Sequence, residues 1–343
     1  MTRKTTINLV SISLSIAATL IITALLMLVL GKDPVEIFSV MFDDVFASGY
    51  GIGQTLFKTT PLIICGCGLA ICFHASLFNI GAEGQLNAGS FVIGITAVYF
   101  SDLPFIVLLP LCMICGFLVS CFLGLIPAII KIKKGVSEVI TTIMLNFVVL
   151  ALVNYFLIDF FAVKSSMHTK KIPDNIMIPK LSEFSDFFQG SSLNLTFFFA
   201  IFLAFIVYIL IYKTKFGYKI RAVGFNETAS KYIGLKINKI VLFTFVIGAG
   251  ITSFVGINFI MGYKGYYELG YSNNLGFTAI AVTLLAKNNP IGIIFSAILF
   301  GILDYGGLAI NLLIPKEIML VVQAVIILTI LSIDKLVEGY YNK

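Results

Sequence analysis

Polar side chains cluster in the segment 78–89, inside an otherwise apolar part of the sequence. Glycines at 81, 84 and 89 permit backbone conformations that other residues resist. Non-helical backbone at membrane depth is tolerated only inside protein or along a water-filled cavity. The segment therefore predicts a broken helix that lines a translocation path, and an ordinary cytoplasmic turn is the alternative. The candidate path residues here are Asn79, Glu83, Gln85 and Asn87.

Further polar residues lie inside later apolar runs. Asn146 and Asn154 are eight residues apart and so share one helical face. For a single Asn, a hydrogen bond between helices is as good an explanation as a substrate contact. Asp304 differs, because an ionisable group at depth is by default a functional-site hypothesis, although it could stay neutral or pair with Lys316. We add Asn146 and Asp304 to the candidate path; the other polar residues are Asn258, Asn311 and Gln323.

The segment 213–239 is basic and amphipathic. Asn226 suits the N-cap of a short helix, with Glu227 in the first turn, where the helix dipole favours an acidic side chain. This helix is predicted to run to about Ile233 and to stop at Gly234. It could be a docking ridge for a partner or an anchor on anionic lipid headgroups, and the residue pattern leaves both open.

Several catalytic patterns are absent from the sequence. The sequence contains no GxxxxGK[ST] loop, no HExxH and no GxSxG, and its two histidines, His74 and His168, are far apart. ATP hydrolysis by that loop is therefore excluded, and we predict no enzymatic activity, no cofactor and no metal site. The six cysteines lie in apolar runs, so we expect small buried side chains, including Cys112 and Cys115 of a CxxC pair.

The elements that must position these residues are membrane helices. Hydrophobic residues make up 59% of the chain and charged residues 12%, with a mean hydropathy of +1.03, against about 25% charged residues in soluble domains. Apolar runs repeatedly reach the roughly 20 residues that a spanning helix needs. We predict an all-α, polytopic single membrane domain, 1–343, with two related halves and broken helices at its third and eighth spans. The ten spans are 9–30, 52–72, 84–100, 104–130, 137–158, 193–212, 240–261, 275–286, 290–313 and 317–333.

Basic residues set the predicted orientation. With both termini in the cytoplasm, the cytoplasmic side collects most Lys and Arg, including those of 213–239. The net charge of +6 is thus explained by topology rather than by nucleic-acid binding. The segment 159–192 becomes an extracytoplasmic loop, in which Phe184, Phe187 and Phe188 suggest a short amphipathic piece on the membrane surface.

Three motifs resemble one family of transporters. Arg221–Gly224 with Asn226, Ala229 and 232–235 resembles the cytoplasmic coupling segment of ABC permeases of the ribose and branched-chain amino-acid type. The FNIGAEGQ run at 78–85 resembles the nucleoside-uptake branch of that family, as does GFTAIAV at 276–282. The resemblance covers about 50–335, without the loop 159–192, and departs from the family around Lys287.

This resemblance implies a permease subunit that imports nucleosides, purine nucleosides above all, by alternating access across the cytoplasmic membrane. It further implies a separate ABC ATPase, a second related permease subunit and an extracytoplasmic binding protein or lipoprotein as partners. The residues it assigns to ATPase coupling are Gly217, Arg221, Gly224, Asn226, Ala229, Tyr232 and Gly234.

Two other functions stay open on the sequence. A simple-sugar permease of the same family is one. An ion-coupled secondary transporter is the other, because broken helices and internal repeats fit it as well, with Glu83 and Asp304 as candidate proton or sodium sites.

Overall fold

A computed structural model describes residues 31–311 without a gap, together with 18, 21–25, 27–29, 313, 318–325, 328–329 and 332–333. Its regular structure over these residues is helical, which confirms the predicted all-α class. Six of the described helices are long and apolar enough to cross a membrane. They are Gly49–His74, Phe105–Lys134, Glu138–Phe161, Thr196–Lys213, Ile237–Lys264 and Pro290–Ala309.

We number the α-helices in chain order. Two of them continue as π-helical turns, Leu157–Phe161 after α5 and Ile257–Lys264 at the end of the span that contains α9. The α-helices are α1 (Pro34–Phe46), α2 (Gly49–His74), α3 (Ala82–Tyr99), α4 (Phe105–Lys134), α5 (Glu138–Phe156), α6 (Thr196–Lys213), α7 (Lys215–Phe225), α8 (Glu227–Tyr232), α9 (Ile237–Thr252), α10 (Leu275–Leu285) and α11 (Pro290–Ala309).

The six long helices match six of the ten predicted spans. The predicted span 84–100 is α3, and the predicted span 275–286 is the 11-residue α10. Two predicted spans, 9–30 and 317–333, lie partly outside the described residues. The basic residues near the two ends of the sequence lie wholly outside them; they are Arg3, Lys4, Lys335 and Lys343. The number of membrane crossings therefore stays a prediction.

Helix α3 packs against several other helices. It contacts α4, α5, α9 and α10. Small and polar residues fill its first two turns, and most of its side chains are buried. Because a helix enclosed on all sides has no lipid-facing stripe, its polar residues must find partners on the neighbouring helices.

Two compact units make up the chain. One unit comprises Leu56–Ile298 and contains α3 to α10. The other comprises Met1–Thr55 and Leu299–Lys343, and its core includes Met27, Ile37 and Leu303. The predicted single domain with two related halves remains a prediction.

The predicted third and eighth spans, α3 and α10, are continuous helices, and each follows a non-helical segment. Residues 75–81 form a turn between α2 and α3, and residues 265–274 form a loop before α10. The loop pairs with the segment 162–172, because the amide of Thr169 donates to the carbonyl of Tyr267 over 2.9 Å and that of Ile172 to Gly265 over 2.8 Å.

Details of the predicted loop and of the cysteines differ in part from expectation. In place of one amphipathic piece at 184–188, the structure has two short 3-10 turns, Leu181–Glu183 and Asp186–Phe188, with Phe184 and Phe187 exposed. Five of the six free cysteines are buried as predicted, but Cys115 is only half-buried.

Candidate functional site

Five of the six predicted path residues lie together at the start of α3. We call this group, Asn79, Glu83, Gln85, Asn87 and Asn146, the buried polar layer, since none of its members is more than 4% exposed. Four of them come from the turn 75–81 and the first two turns of α3. The fifth projects from α5.

The Glu83 carboxylate joins α3 to α10. It accepts hydrogen bonds from the Ser272 hydroxyl over 2.5 Å, the Gly276 amide over 2.7 Å and the Asn87 side chain over 3.1 Å. Gly276 lies in the first turn of α10, where backbone N–H groups have no partner within the helix and the dipole favours a negative charge. Glu83 therefore caps the N-terminus of α10 from inside the protein.

The close approach of these helices requires a glycine. A Cβ added to Gly276 would lie 2.7 Å from the Cα atom of Glu83, well inside van der Waals contact. The GFTAIAV motif thus begins with a residue that lets α10 reach the backbone of α3.

Asn79 and Gln85 close the turn onto the helix. The Asn79 amide donates to Gln85 over 2.8 Å, and Gln85 donates back to the Asn79 oxygen over 3.2 Å. The same oxygen accepts the amide of Gly81 over 3.1 Å. This reciprocal pair fixes the direction in which the chain enters α3.

Asn146 satisfies backbone groups on both sides of the interruption. Its side-chain oxygen accepts the Gly84 amide over 2.9 Å, and its nitrogen donates to the Ile80 carbonyl over 2.8 Å. Buried backbone groups need such partners, because lipid supplies none. In the conformation described, all five side chains of the layer are thus bonded within the protein, and their role in lining a path stays a prediction.

Asp304 is the sixth predicted path residue. It is on the exposed face of α11 and belongs to the other compact unit. Its suggested partner Lys316 falls outside the described residues.

The remaining polar candidates are scattered. Asn258 is buried and accepts a hydrogen bond from the buried Asn194 over 3.1 Å. Asn154 is half-buried, Asn311 is exposed and Gln323 is buried.

Several residues of the site were missed by the sequence analysis. Ser272 bonds Glu83 and Asn87, the Tyr267 hydroxyl donates to Asn87 over 3.3 Å, and the Tyr271 hydroxyl donates to Ser90 over 2.5 Å. All lie in or beside the loop 265–274, whose tyrosines and small polar residues are ordinary for a surface loop. No local pattern distinguishes them.

The segment 213–239 forms two consecutive helices, α7 and α8, which we call the basic helix pair. As predicted, Asn226 caps α8, accepting the Ala229 amide over 2.9 Å, and Gly234 follows with a φ of +83°. Helix α7 was not predicted; Thr214 caps it by accepting the Gly217 amide over 3.0 Å. Gly217 and Gly224 lower its helix propensity, which hides it from pattern analysis.

One side of the pair packs on the protein. A Cβ added to Gly224 would meet the main chain of His74 and Ala75, and the Ser76 hydroxyl donates to the Gly224 carbonyl over 2.7 Å. The Arg221 guanidinium lies 5.2 Å from the centre of the Tyr212 ring. The pair therefore contacts the turn 75–81, three residues before Asn79.

The other side of the pair presents apolar side chains outward. Phe225 is 97% exposed and Tyr232 is 88% exposed. Ile233 and Ala229 are exposed as well. Exposed aromatic and aliphatic side chains among basic residues are common in protein-binding surfaces.

Residues 51–331 match the family described as the permease component of branched-chain amino acid transport systems. The chain belongs to this family. It is therefore a membrane permease, a transport subunit rather than an enzyme, as the sequence predicted.

Three relatives extend this match over nearly the whole chain. The nucleoside ABC transporter permease NupB of Lactococcus lactis is 34% identical, covering 95% of this chain and 90% of its own length. The guanosine ABC transporter permease NupP of Bacillus subtilis is 34% identical, covering 95% and 92%. The glucose ABC transporter permease TsgB13 of Haloferax volcanii is 28% identical, covering 93% and 86%. The same Lactococcus strain has a second matching permease, NupC, 24% identical over 73% of this chain and 80% of that protein.

Proposed function

We propose that this chain is the membrane-spanning permease subunit of an ATP-binding cassette importer that takes nucleosides into the cell. The supporting observation is the 34% identity, over nine-tenths of both chains, to permeases named for nucleoside and guanosine transport. Membership of the permease family decides between this function and the ion-coupled transporter, in favour of ATP-driven import.

The basic helix pair is the surface to which the ATPase binds. Its exposed residues Phe225, Tyr232 and Ile233 supply apolar contacts, and its lysines supply charge at the rim. Gly224 and Ser76 tie the same helices to the turn 75–81. A movement of the ATPase would therefore reach Asn79 through a short run of main chain.

The other partners follow from the permease role. A second permease completes the membrane domain, in line with the presence of both NupB and NupC in one strain. An extracytoplasmic binding protein or lipoprotein delivers the substrate. In this arrangement the chain lies in the cytoplasmic membrane with both termini and the basic helix pair on the cytoplasmic side, and with the loop 159–192 outside.

The buried polar layer and Asp304 are the proposed path residues. In the conformation described, Glu83 holds α3 and α10 together. Alternating access requires a second conformation in which some of these bonds are exchanged for bonds to the substrate. Carboxylate and amide groups suit the hydroxyls and ring nitrogens of a nucleoside.

A simple sugar is the second candidate substrate, favoured by the 28% identity to a glucose permease. The two candidates separate in one uptake experiment. Cells lacking the gene for this chain should lose accumulation of labelled guanosine and keep accumulation of labelled glucose, and the restored gene should recover the first. Loss of glucose uptake alone would favour the sugar, and undiminished uptake of both would overturn the proposal.

A further inference from the structure

A cavity lies at the end of α3 that is far from the buried polar layer. Its volume is about 420 Å³, within the range of about 300–1,000 Å³ of small-molecule sites. It is bounded by the last turn of α3, the π-helical turn Leu157–Phe161 and the start of the loop 159–192. Residues that matter for its chemistry are Tyr99, Ser101, Asp102, Phe161, Thr169 and Lys170.

The lining combines aromatic and polar groups, both of which a nucleoside can use. The Tyr99 and Phe161 rings are 6.1 Å apart and nearly perpendicular, so each offers a face or an edge to a flat base. Asp102 and Lys170 are exposed at the rim, and the hydroxyl of Ser101 is half-buried. Aromatic stacking together with a carboxylate acceptor for hydroxyl groups is a general way to hold a base and its sugar.

A row of aromatic rings runs from this cavity toward the buried polar layer. Phe161 lies 5.7 Å from Phe91, Phe91 lies 5.3 Å from Tyr267, and Tyr267 lies 5.3 Å from Tyr271, all between ring centres. The Tyr267 hydroxyl donates to Asn87 of the layer over 3.3 Å. The row thus joins the cavity to the layer along α3, across the roughly 18 Å that separate Asn87 from Tyr99 on an ideal helix.

Thr169 connects the cavity wall to the same row. Thr169 lines the cavity, and its hydroxyl accepts the Tyr267 amide over 3.1 Å. A ligand in the cavity would therefore touch a residue that positions Tyr267, one of the rings nearest to Glu83 and Asn87.

We propose that this cavity is an entry site that holds a nucleoside, base against Tyr99 and Phe161 and sugar toward Asp102, before it reaches the buried polar layer. The proposal rests on the proposed function and adds a second, outer position for the same substrate. In the conformation described, the packed rings of Phe91, Tyr267 and Tyr271 separate this entry site from the buried polar layer, so the base advances only when these rings move apart.

Protection from thiol labelling tests the site directly. In membranes containing the complete transporter and its binding protein without ATP, the variant Ser101→Cys is labelled with a charged thiol reagent, with and without guanosine. At ten times the half-saturating concentration, guanosine should slow labelling about tenfold, since occupancy reduces the free fraction by one plus the ratio of ligand to dissociation constant. Ala162→Cys, also in the cavity wall, is a second position; Ser185→Cys, exposed and outside the wall, should be labelled at an unchanged rate.

Transport kinetics give an independent readout. Phe161→Leu should raise the half-saturating guanosine concentration about fivefold or more, because loss of a stacked ring weakens base binding by at least that factor. Phe147→Leu, exposed on α5 and outside the cavity, is the matched control. Unchanged labelling at both cysteines in membranes that import guanosine would overturn the entry site and leave the proposed function standing, whereas absence of guanosine import by the unmodified chain would overturn the proposed function itself.

Discussion

The buried polar layer and the basic helix pair use their polar and apolar residues in opposite ways. In the layer, Glu83, Asn87 and Asn146 are buried and spend their hydrogen bonds on the protein itself. In the basic helix pair, Phe225 and Tyr232 are almost fully exposed, and we propose that they contact the ATPase. The comparison shows that a sequence motif of this family can mark side chains that pair inside the protein or side chains that stay exposed. The burial of the side chains distinguishes the two cases.

The largest effect should come from removing the carboxylate of the layer. Glu83→Ala leaves the Gly276 amide and the Ser272 hydroxyl without their acceptor, whereas the Asn87 amide keeps the main-chain carbonyl of residue 83. Each buried group left unpaired costs about 1–3 kcal/mol, so the melting temperature of the purified chain should fall by roughly 5–10 °C. Thermal unfolding in detergent measures this.

Two further variants control that experiment. Glu83→Gln keeps the shape of the side chain and one acceptor oxygen, so its melting temperature should fall less than that of Glu83→Ala. Asp186→Ala removes an exposed carboxylate from the loop 159–192 and should leave the melting temperature unchanged. A melting temperature unaltered in Glu83→Ala would mean that the layer does not hold α3 to α10.

The next largest effect should come from Gly224, where the basic helix pair contacts the turn 75–81. Gly224→Ala places a methyl group against the main chain of His74 and Ala75, which cannot move aside as a flexible side chain would. Overpacking of this kind costs about 1–3 kcal/mol, equivalent to about 5- to 150-fold in a coupled equilibrium. Guanosine uptake should fall accordingly, and Gly224→Trp should abolish it.

Gly292→Ala provides the matched glycine substitution, because the nearest atom to its added Cβ is 3.3 Å away. It should retain most of the uptake. Normal uptake by Gly224→Trp, with the partner subunits present, would refute the link between the basic helix pair and the turn 75–81.

A smaller effect, on a different quantity, should come from the outward face of the pair. Tyr232→Ala removes a ring that is 88% exposed, so the melting temperature of the isolated chain should not change. Binding of the ATPase should weaken about fivefold or more, since truncation of an aromatic hot spot in an interface costs over about 1 kcal/mol. Co-purification at graded ATPase concentrations measures it, and Phe187→Ala in the loop 159–192 should bind normally. A lower melting temperature together with unaltered ATPase binding would show that Tyr232 stabilises the chain itself and does not contact the ATPase.

The smallest effect should come from the cap of α8. Asn226→Ala removes the acceptor of the Ala229 amide and should destabilise this exposed helix by about 1 kcal/mol. Asn226→Asp keeps an acceptor and should behave as the unmodified chain does. Hydrogen exchange at 227–232 measures the difference, and equal exchange in both variants would show that the partner rather than the cap orders the helix.

The sequence predicted those features that depend on neighbouring residues. The cap at Asn226 and the end of α8 before Gly234 rest on local signals, and both are present. The limits of the six long apolar helices agree with the predicted limits to within four residues. Glycines and polar residues also marked the surroundings of α3 and α10, but the structure has a turn and a loop before these helices and no break within them.

Features that join distant parts of the chain could not be predicted in this way. Ser272 meets Glu83 across 189 positions, and nothing near Ser272 indicates it. The same holds for the Ile80 carbonyl and the Gly84 amide, which both bond to Asn146. Side chains that looked available to a substrate in the sequence turned out to have partners, since burial forces polar groups to pair.

Reconstitution tests most directly whether this chain is part of an ATP-driven nucleoside importer. Proteoliposomes containing this chain, its second permease and the ATPase, with the binding protein outside and ATP on the ATPase side, are incubated with labelled guanosine. The account predicts accumulation that requires ATP, persists without ion gradients and is competed by unlabelled nucleosides but not by glucose. Accumulation without ATP, or competition by glucose at the level of guanosine, would contradict it.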